Sequence, residues 1–165
     1  MRTKIVCTIG PASMTLPKMK RMKENGMSIA RINTKHGDLA QWEKIISICK
    51  KIDCPFMIDI NSKNFLWWVK EKKPEYLAIS YAESEKYIRG IIKEIDPYTK
   101  VVSKIESKKG ISNFKNIIDA SWGIMVGRGD LSKNLSFEKV PAAQNLIVKK
   151  TIRNKKFVIV ATEML

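Results

Sequence analysis

Two rhythms of apolar residues alternate along the chain. Short runs rich in β-branched residues read as buried strands: KIVCTI (4–9), SIARIN (28–33), FMIDI (56–60), YLAIS (76–80), KVVSKIE (100–106), GIMVG (123–127) and FVIVAT (157–162). Between them the apolar positions recur at the helical period. Leu39, Trp42, Ile45, Ile46, Cys49 and Ile52 mark one face over 38–52, and Tyr87, Ile88, Ile91, Ile92 and Ile95 mark another over 84–96. ISNFKNIID and VPAAQNLIVKKTI add two helices, and a short one is predicted over 64–73. The order is βαβαβαβαβαβαβ. That alternation predicts a parallel sheet with right-handed crossovers, as either a doubly wound open sheet or a (β/α)8 barrel.

In both architectures chemistry gathers at the C-terminal ends of the strands. Those ends carry TIGPAS, then Arg31, Asn33 and His36, then Asp59, Lys104 with Glu106, Arg128 with Asp130, and Thr162. Side chains alternate along a strand, so Lys104 and Glu106 point the same way. Burying such a pair is costly unless the two neutralise each other across the barrel mouth or engage a ligand. Glu106 and Asp130, on adjacent strand ends, suit a hard divalent cation that keeps water or substrate oxygens among its ligands, as Mg2+ does. In GRGD, Gly127 and Gly129 let the backbone come close, and the residues that follow can open a helix whose free N–H groups bind an anion. Arg31 and Lys104 would bring positive charge to a phosphoryl group. A small, doubly anionic substrate bound through Mg2+ follows. His36, in NTKHGD, reads as a hydrogen-bonded loop residue, and of the adjacent Trp67 and Trp68 only one can face inward.

Composition narrows the partners. At 165 residues and 44% hydrophobic content, residues 1–165 make one domain with a packed core. The formal charge of +15 would attract nucleic acid or anionic surfaces, but the lysines are scattered between apolar stretches as solvated faces would place them, which argues against specific nucleic-acid binding. Cys7, Cys49 and Cys54 form no C-x-x-C pair and have one histidine for company, against a zinc site or a disulfide framework. With no apolar leader and no run of transmembrane length, a cytoplasmic protein is expected.

The motifs RTKIVCTIGPAS, MSIARINTKHGD, SKIESKKGISNFKNIIDASWGIMVGRGDL, VPAAQNLIVKK and VIVATEML resemble, in order, those of the pyruvate kinase family. The resemblance implies an incomplete (β/α)8 TIM-type barrel of about seven parallel strands, the family's catalytic domain up to its seventh strand. It implies that Lys104 stabilises the transferring phosphoryl group and the enolate, that Glu106 and Asp130 hold Mg2+ or Mn2+, and that Arg31 contacts the phosphate. The backbone at Gly129 and Asp130 would take the carboxylate of phosphoenolpyruvate, Thr162 would help fix it, and Asn33 with Asp59 would belong to a monovalent-cation site.

Several positions depart from that pattern. Where the family has a motif close to Asp-Thr-Lys-Gly-Pro-Glu-Ile-Arg followed by a lid domain, this sequence reads DINSKNFL and passes straight into a helix, so the lid is expected to be deleted near 60–74 and its arginine replaced by Leu66. That loss bears on ADP and ATP, whose phosphates the lid clamps. Ile60 and Lys35 stand where the family has a potassium-binding threonine and serine, so the Lys35 ammonium is expected to replace K+. The family's C-terminal domain is expected to be absent. A seven-stranded barrel would leave two open edges, which predicts a homo-oligomer or a complementing chain. The expected function is phosphoryl transfer between phosphoenolpyruvate and ADP, or only the enolisation of pyruvate. The alternative is a non-catalytic protein that binds phosphoenolpyruvate or pyruvate, or a subunit that needs a partner.

Overall fold

The structure, a computed structural model, describes residues 3–162. The chain runs through β1 (Ile5–Thr8), α1 (Leu16–Glu24), β2 (Met27–Asn33), α2 (Leu39–Lys51) and β3 (Phe56–Ile60). A 3-10 turn at Lys63–Phe65 leads into α3 (Leu66–Lys72), then β4 (Tyr76–Ile79), α4 (Glu85–Ile92) and β5 (Lys100–Ile105). There follow α5 (Lys108–Ser112), α6 (Phe114–Ala120), β6 (Gly123–Gly127), α7 (Arg128–Asn134), a 3-10 turn at Phe137–Lys139, α8 (Val140–Arg153) and β7 (Phe157–Ala161).

All neighbouring strands are parallel, and their spatial order is their chain order, β1 to β7. A doubly wound sheet reverses direction at a switch point; an unbroken sequence of neighbours is the barrel alternative. The sheet curls far enough that the ammonium of Lys4, beside β1, lies 5.6 Å from the ring centre of Phe157 at the start of β7. Among the described residues β1 and β7 each pair on one side only, giving an incomplete (β/α)8 barrel.

Strand parity creates two apolar layers. Ile58, Leu77, Ile79, Val101, Ile105, Ile124 and Val126 face outward under the helices, where Trp42, Ile45, Trp68, Ile88, Ile117 and Ile147 cover them. Ile29, Met57, Tyr76, Ala78, Val102 and Met125 fill the barrel interior, with Val6, Trp122 and Ile159 against them. Continuing the inward parity toward the C-terminal ends gives Arg31, Asp59, Ser80, Lys104, Glu106 and Gly127. A charged layer is therefore stacked on an apolar one.

Several boundaries differ from the periodicity. The helix expected over 84–96 ends at Ile92, because Pro97 disfavours helical backbone at Asp96, whose carboxylate instead takes the Tyr98 N–H at 2.9 Å. The helix expected at 111–119 begins earlier, where Ser107 caps Lys108–Ser112, and breaks at Asn113, whose amide donates to the Glu83 carbonyl at 2.9 Å. Trp68 is buried and Trp67 is exposed, as adjacent helical positions require. No helix among the described residues is long and apolar enough to cross a membrane.

Candidate active site

Four charged side chains from three strands meet at the C-terminal rim. Arg31, on β2, donates from Nε and Nη2 to Asp59 Oδ2 at 2.9 and 2.6 Å and from Nη1 to the Thr8 hydroxyl at 2.7 Å. Asp59, on β3, also lies 3.2 Å from the Lys104 ammonium. Lys104 donates to the Ser80 hydroxyl at 2.9 Å and pairs with Glu106 Oε1 at 3.1 Å. Glu106 Oε2 accepts the Tyr81 N–H at 3.0 Å. Asp59, Lys104 and Glu106 are all buried, and no buried side-chain nitrogen or oxygen among the described residues lacks a partner. Two cations and two anions thus neutralise each other in a chain, the arrangement in which buried charges are tolerated.

The other side of the rim is more open. GRGD is not a loop: α7 begins at Arg128, directly after β6, so Asp130 lies in its first turn. Arg128 turns away from the charged chain and donates to the Thr162 carbonyl, with Nε at 2.8 Å. The Gly129 N–H donates to the Thr162 hydroxyl at 3.1 Å, and Thr162 takes a left-handed backbone with φ of 62°. Asp130 pairs with the Lys133 ammonium at 2.9 Å. That hydrogen bond holds the Asp130 carboxyl below the ordinary aspartate range, with further pull from the charges of Lys133, Lys35 and Lys104. Asn33 is register partner to Asp59, but its side-chain oxygen accepts the Lys35 N–H at 3.2 Å while both Asp59 oxygens are engaged elsewhere. His36 is exposed in a turn, its carbonyl taking the Trp42 indole N–H.

The family profile for the barrel domain of pyruvate kinase matches residues 1–61 and 49–165. The chain belongs to the pyruvate kinase family. The pyruvate kinase of Lactococcus lactis is 40% identical over 94 residues, covering 54% of this chain and 19% of its own length. That of Methanocaldococcus jannaschii is 36% identical over 118 residues, 70% of this chain and 26% of the relative. The pyruvate kinase of Thermoplasma acidophilum is 25% identical over the whole chain, and that alignment spans 263 residues, so the relative carries sequence with no counterpart here. The chain spans less than half the length of these curated relatives.

Pyruvate kinases typically use Mg2+, and the residues present suit such an ion. Glu106 and Asp130 are the two carboxylates that would hold a cation keeping water and substrate oxygens among its ligands. Glu106 owes its position to Gly127, where an added Cβ would come within 2.7 Å of Glu106 Oε1. A single amide ties the two acids together: Asn134 Nδ2 donates to the backbone carbonyls of Glu106 at 3.1 Å and Asp130 at 3.0 Å. Among the described residues no group of three metal-binding side chains is assembled.

Sequence reading missed three contributors. Ser80 carries a signal, because it follows β4 directly and the register, carried one residue past Ile79 and Ser103, sets it beside Lys104. Tyr81 acts through its backbone N–H, held by a left-handed φ of 49°, and Asn134 through a contact across 28 positions; neither leaves a local pattern.

Proposed function

We propose that the rim is a phosphoenolpyruvate and pyruvate site of pyruvate kinase type, acting in phosphoryl transfer between phosphoenolpyruvate and ADP or in its enolisation half alone. The observation that carries the reading is the Arg31–Asp59–Lys104–Glu106 chain, placed at the strand ends where a barrel binds ligands. A divalent cation held by Glu106 and Asp130 would supply positive charge at the substrate oxygen. Lys104 would stabilise enolate and phosphoryl charge, being already held inward by hydrogen bonds to Asp59 and Ser80 and by its ion pair with Glu106. Arg31 would take the phosphate, its fork preset by Asp59. Thr162 and the backbone at Gly129 and Asp130 would hold the substrate carboxylate, which requires the Gly129 N–H to exchange its bond to the Thr162 hydroxyl for one to the ligand. Asn33 and Asp59 would flank a monovalent-cation position whose charge Lys35 replaces; Lys35 acts electrostatically on Asp130 and so reaches the same rim.

A second reading, binding without turnover, is favoured by the pairing of each acid with a lysine, Glu106 with Lys104 and Asp130 with Lys133. Only a helical turn and α3 join β3 to β4, and the two profile matches meet at β3, which supports deletion of a lid near 60–74. Nucleotide turnover would then need a lid from elsewhere. The free sides of β1 and β7 are where a second copy or a complementing chain would pair; sedimentation finding only monomer would count against this.

Pyruvate in deuterated water discriminates the two main readings. With Mg2+ and protein, loss of the methyl proton signal that is abolished in folded Lys104→Ala and Glu106→Ala variants is the expected result. No loss above those controls would leave binding without turnover.

A further inference from the structure

The cysteines lie away from the rim, and two of them are brought together by the way α2 ends. Its last turn closes with the Cys54 N–H on the Cys49 carbonyl at 2.9 Å and the Asp53 N–H on the Lys50 carbonyl at 3.3 Å. Asp53 occupies the left-handed region with φ of 49°. These two bonds around a left-handed residue are the Schellman closure, in which the third residue from the helix end and the second beyond it meet side chain to side chain. Apolar residues usually fill both positions. Here both are cysteine, so the two side chains share one corner, and the Cys54 thiol donates to the Pro55 carbonyl at 3.5 Å. A disulfide needs Cα atoms within about 7 Å of each other, and a closure that brings these two side chains together is the local geometry that meets it.

The surroundings favour reaction at Cys54. Lys23, on α1, places its ammonium on the carbonyls of Ile52 and Asp53, next to Cys54. The hydrogen bond from Cys49, with smaller help from the Ala30 N–H and Lys23, brings the Cys54 thiol down to about 7, opposed by burial and by Glu75. Cys49 moves the opposite way, its thiol pushed up by its bond to Cys54 and by burial. Cys7, on β1, also feels Cys54 and is raised mainly by burial. One sulfur is therefore set to ionise and the other to hold its proton, the asymmetry of an attacking and a resolving thiol.

We propose that Cys49 and Cys54 are a reversible dithiol–disulfide pair, a modification site at the corner between α2 and β3. With a peroxide, the Cys54 thiolate attacks one oxygen and the O–O bond breaks, giving a sulfenic acid and, after protonation, water. Cys49 then attacks the Cys54 sulfur, its proton leaving with the displaced hydroxyl as a second water. Two electrons pass from the thiols to the peroxide, and a dithiol reductant returns them. Both side chains are nearly inaccessible, at 0% and 5% exposure, so a small oxidant is required.

The test uses the whole folded chain, treated with hydrogen peroxide and then alkylated and digested with trypsin. Cleavage at the lysines between the cysteines places Cys49 in residues 45–50 and Cys54 in residues 52–63. The expected product is those two peptides joined, two hydrogens lighter than their sum and separated again by dithiothreitol, with Cys7 still alkylated. A Cys49→Ser variant should leave Cys54 as a sulfenic acid that dimedone captures. Two alkylatable thiols at 49 and 54 after treatment, a Cys7 crosslink instead, or joining only under denaturant would each overturn the proposal.

Discussion

β5 carries two lysines on its inward parity, and they live in opposite surroundings. Lys100, at the start of the strand, is exposed and rests its ammonium 5.4 Å from the ring centres of both Tyr76 and Trp122. Lys104, two repeats of the pleat further on, is buried among Asp59, Glu106 and Ser80. The N-terminal mouth is closed by rings, Trp122 stacked on Phe157 at 4.6 Å and edge-on to Tyr76 at 5.4 Å, which need no counter-charge from the lysine above them. The C-terminal rim is closed by charges that must balance. One strand thus carries an aromatic-backed lysine at one end and a charge-paired lysine at the other, and the same residue type changes its surroundings with its height in the barrel.

The largest contrast should appear when each lysine loses its charge. Lys104→Met strips a buried cation from two carboxylates, and chemical denaturation should show a loss of about 3–5 kcal/mol. Next comes Gly127→Ala, which pushes a methyl into the Glu106 carboxylate and should cost about 1–3 kcal/mol by the same measurement, with weaker divalent-cation binding. Lys100→Met removes only a lysine lying over ring faces and should cost about 0.5–1 kcal/mol, leaving ligand binding at the rim unchanged. A cost for Lys100→Met equal to that of Lys104→Met would erase the distinction.

The smallest effect concerns pH. Asp130 titrates below the ordinary aspartate value in the folded chain, so its contribution to stability is present above that value and lost as pH falls through the folded one. Carbon-detected NMR should place its midpoint below that of an unpaired aspartate and move it up in Lys133→Ala. An unmoved midpoint would exclude Lys133 as the cause.

Much of this was legible beforehand. FMIDI and GIMVG fix β3 and β6 to the residue, because both strands are buried on both faces and read as short apolar runs, broken in FMIDI only by Asp59. The shared direction of Lys104 and Glu106 followed from parity alone. Arg128 was expected on the same rim as Arg31; it lies on the β7 side of that rim, where α7 begins and its side chain reaches the Thr162 carbonyl. The glycines of GRGD were read as making room for a ligand; Gly127 makes room for Glu106, a fact of register between β5 and β6 that no single stretch contains. The cysteine pair was hidden because a six-residue interval matches no metal or redox motif, and only the helix ending brings the sulfurs together.

The central claim is that the charged rim binds a phosphorylated 2-oxo acid derivative together with a divalent cation. Calorimetric titration of phosphoenolpyruvate into the protein, with and without Mg2+, and into a folded Glu106→Gln variant tests it most directly. The account predicts binding that requires Mg2+ and is lost in Glu106→Gln. Binding indifferent to both the cation and Glu106, or no binding at all, would contradict it.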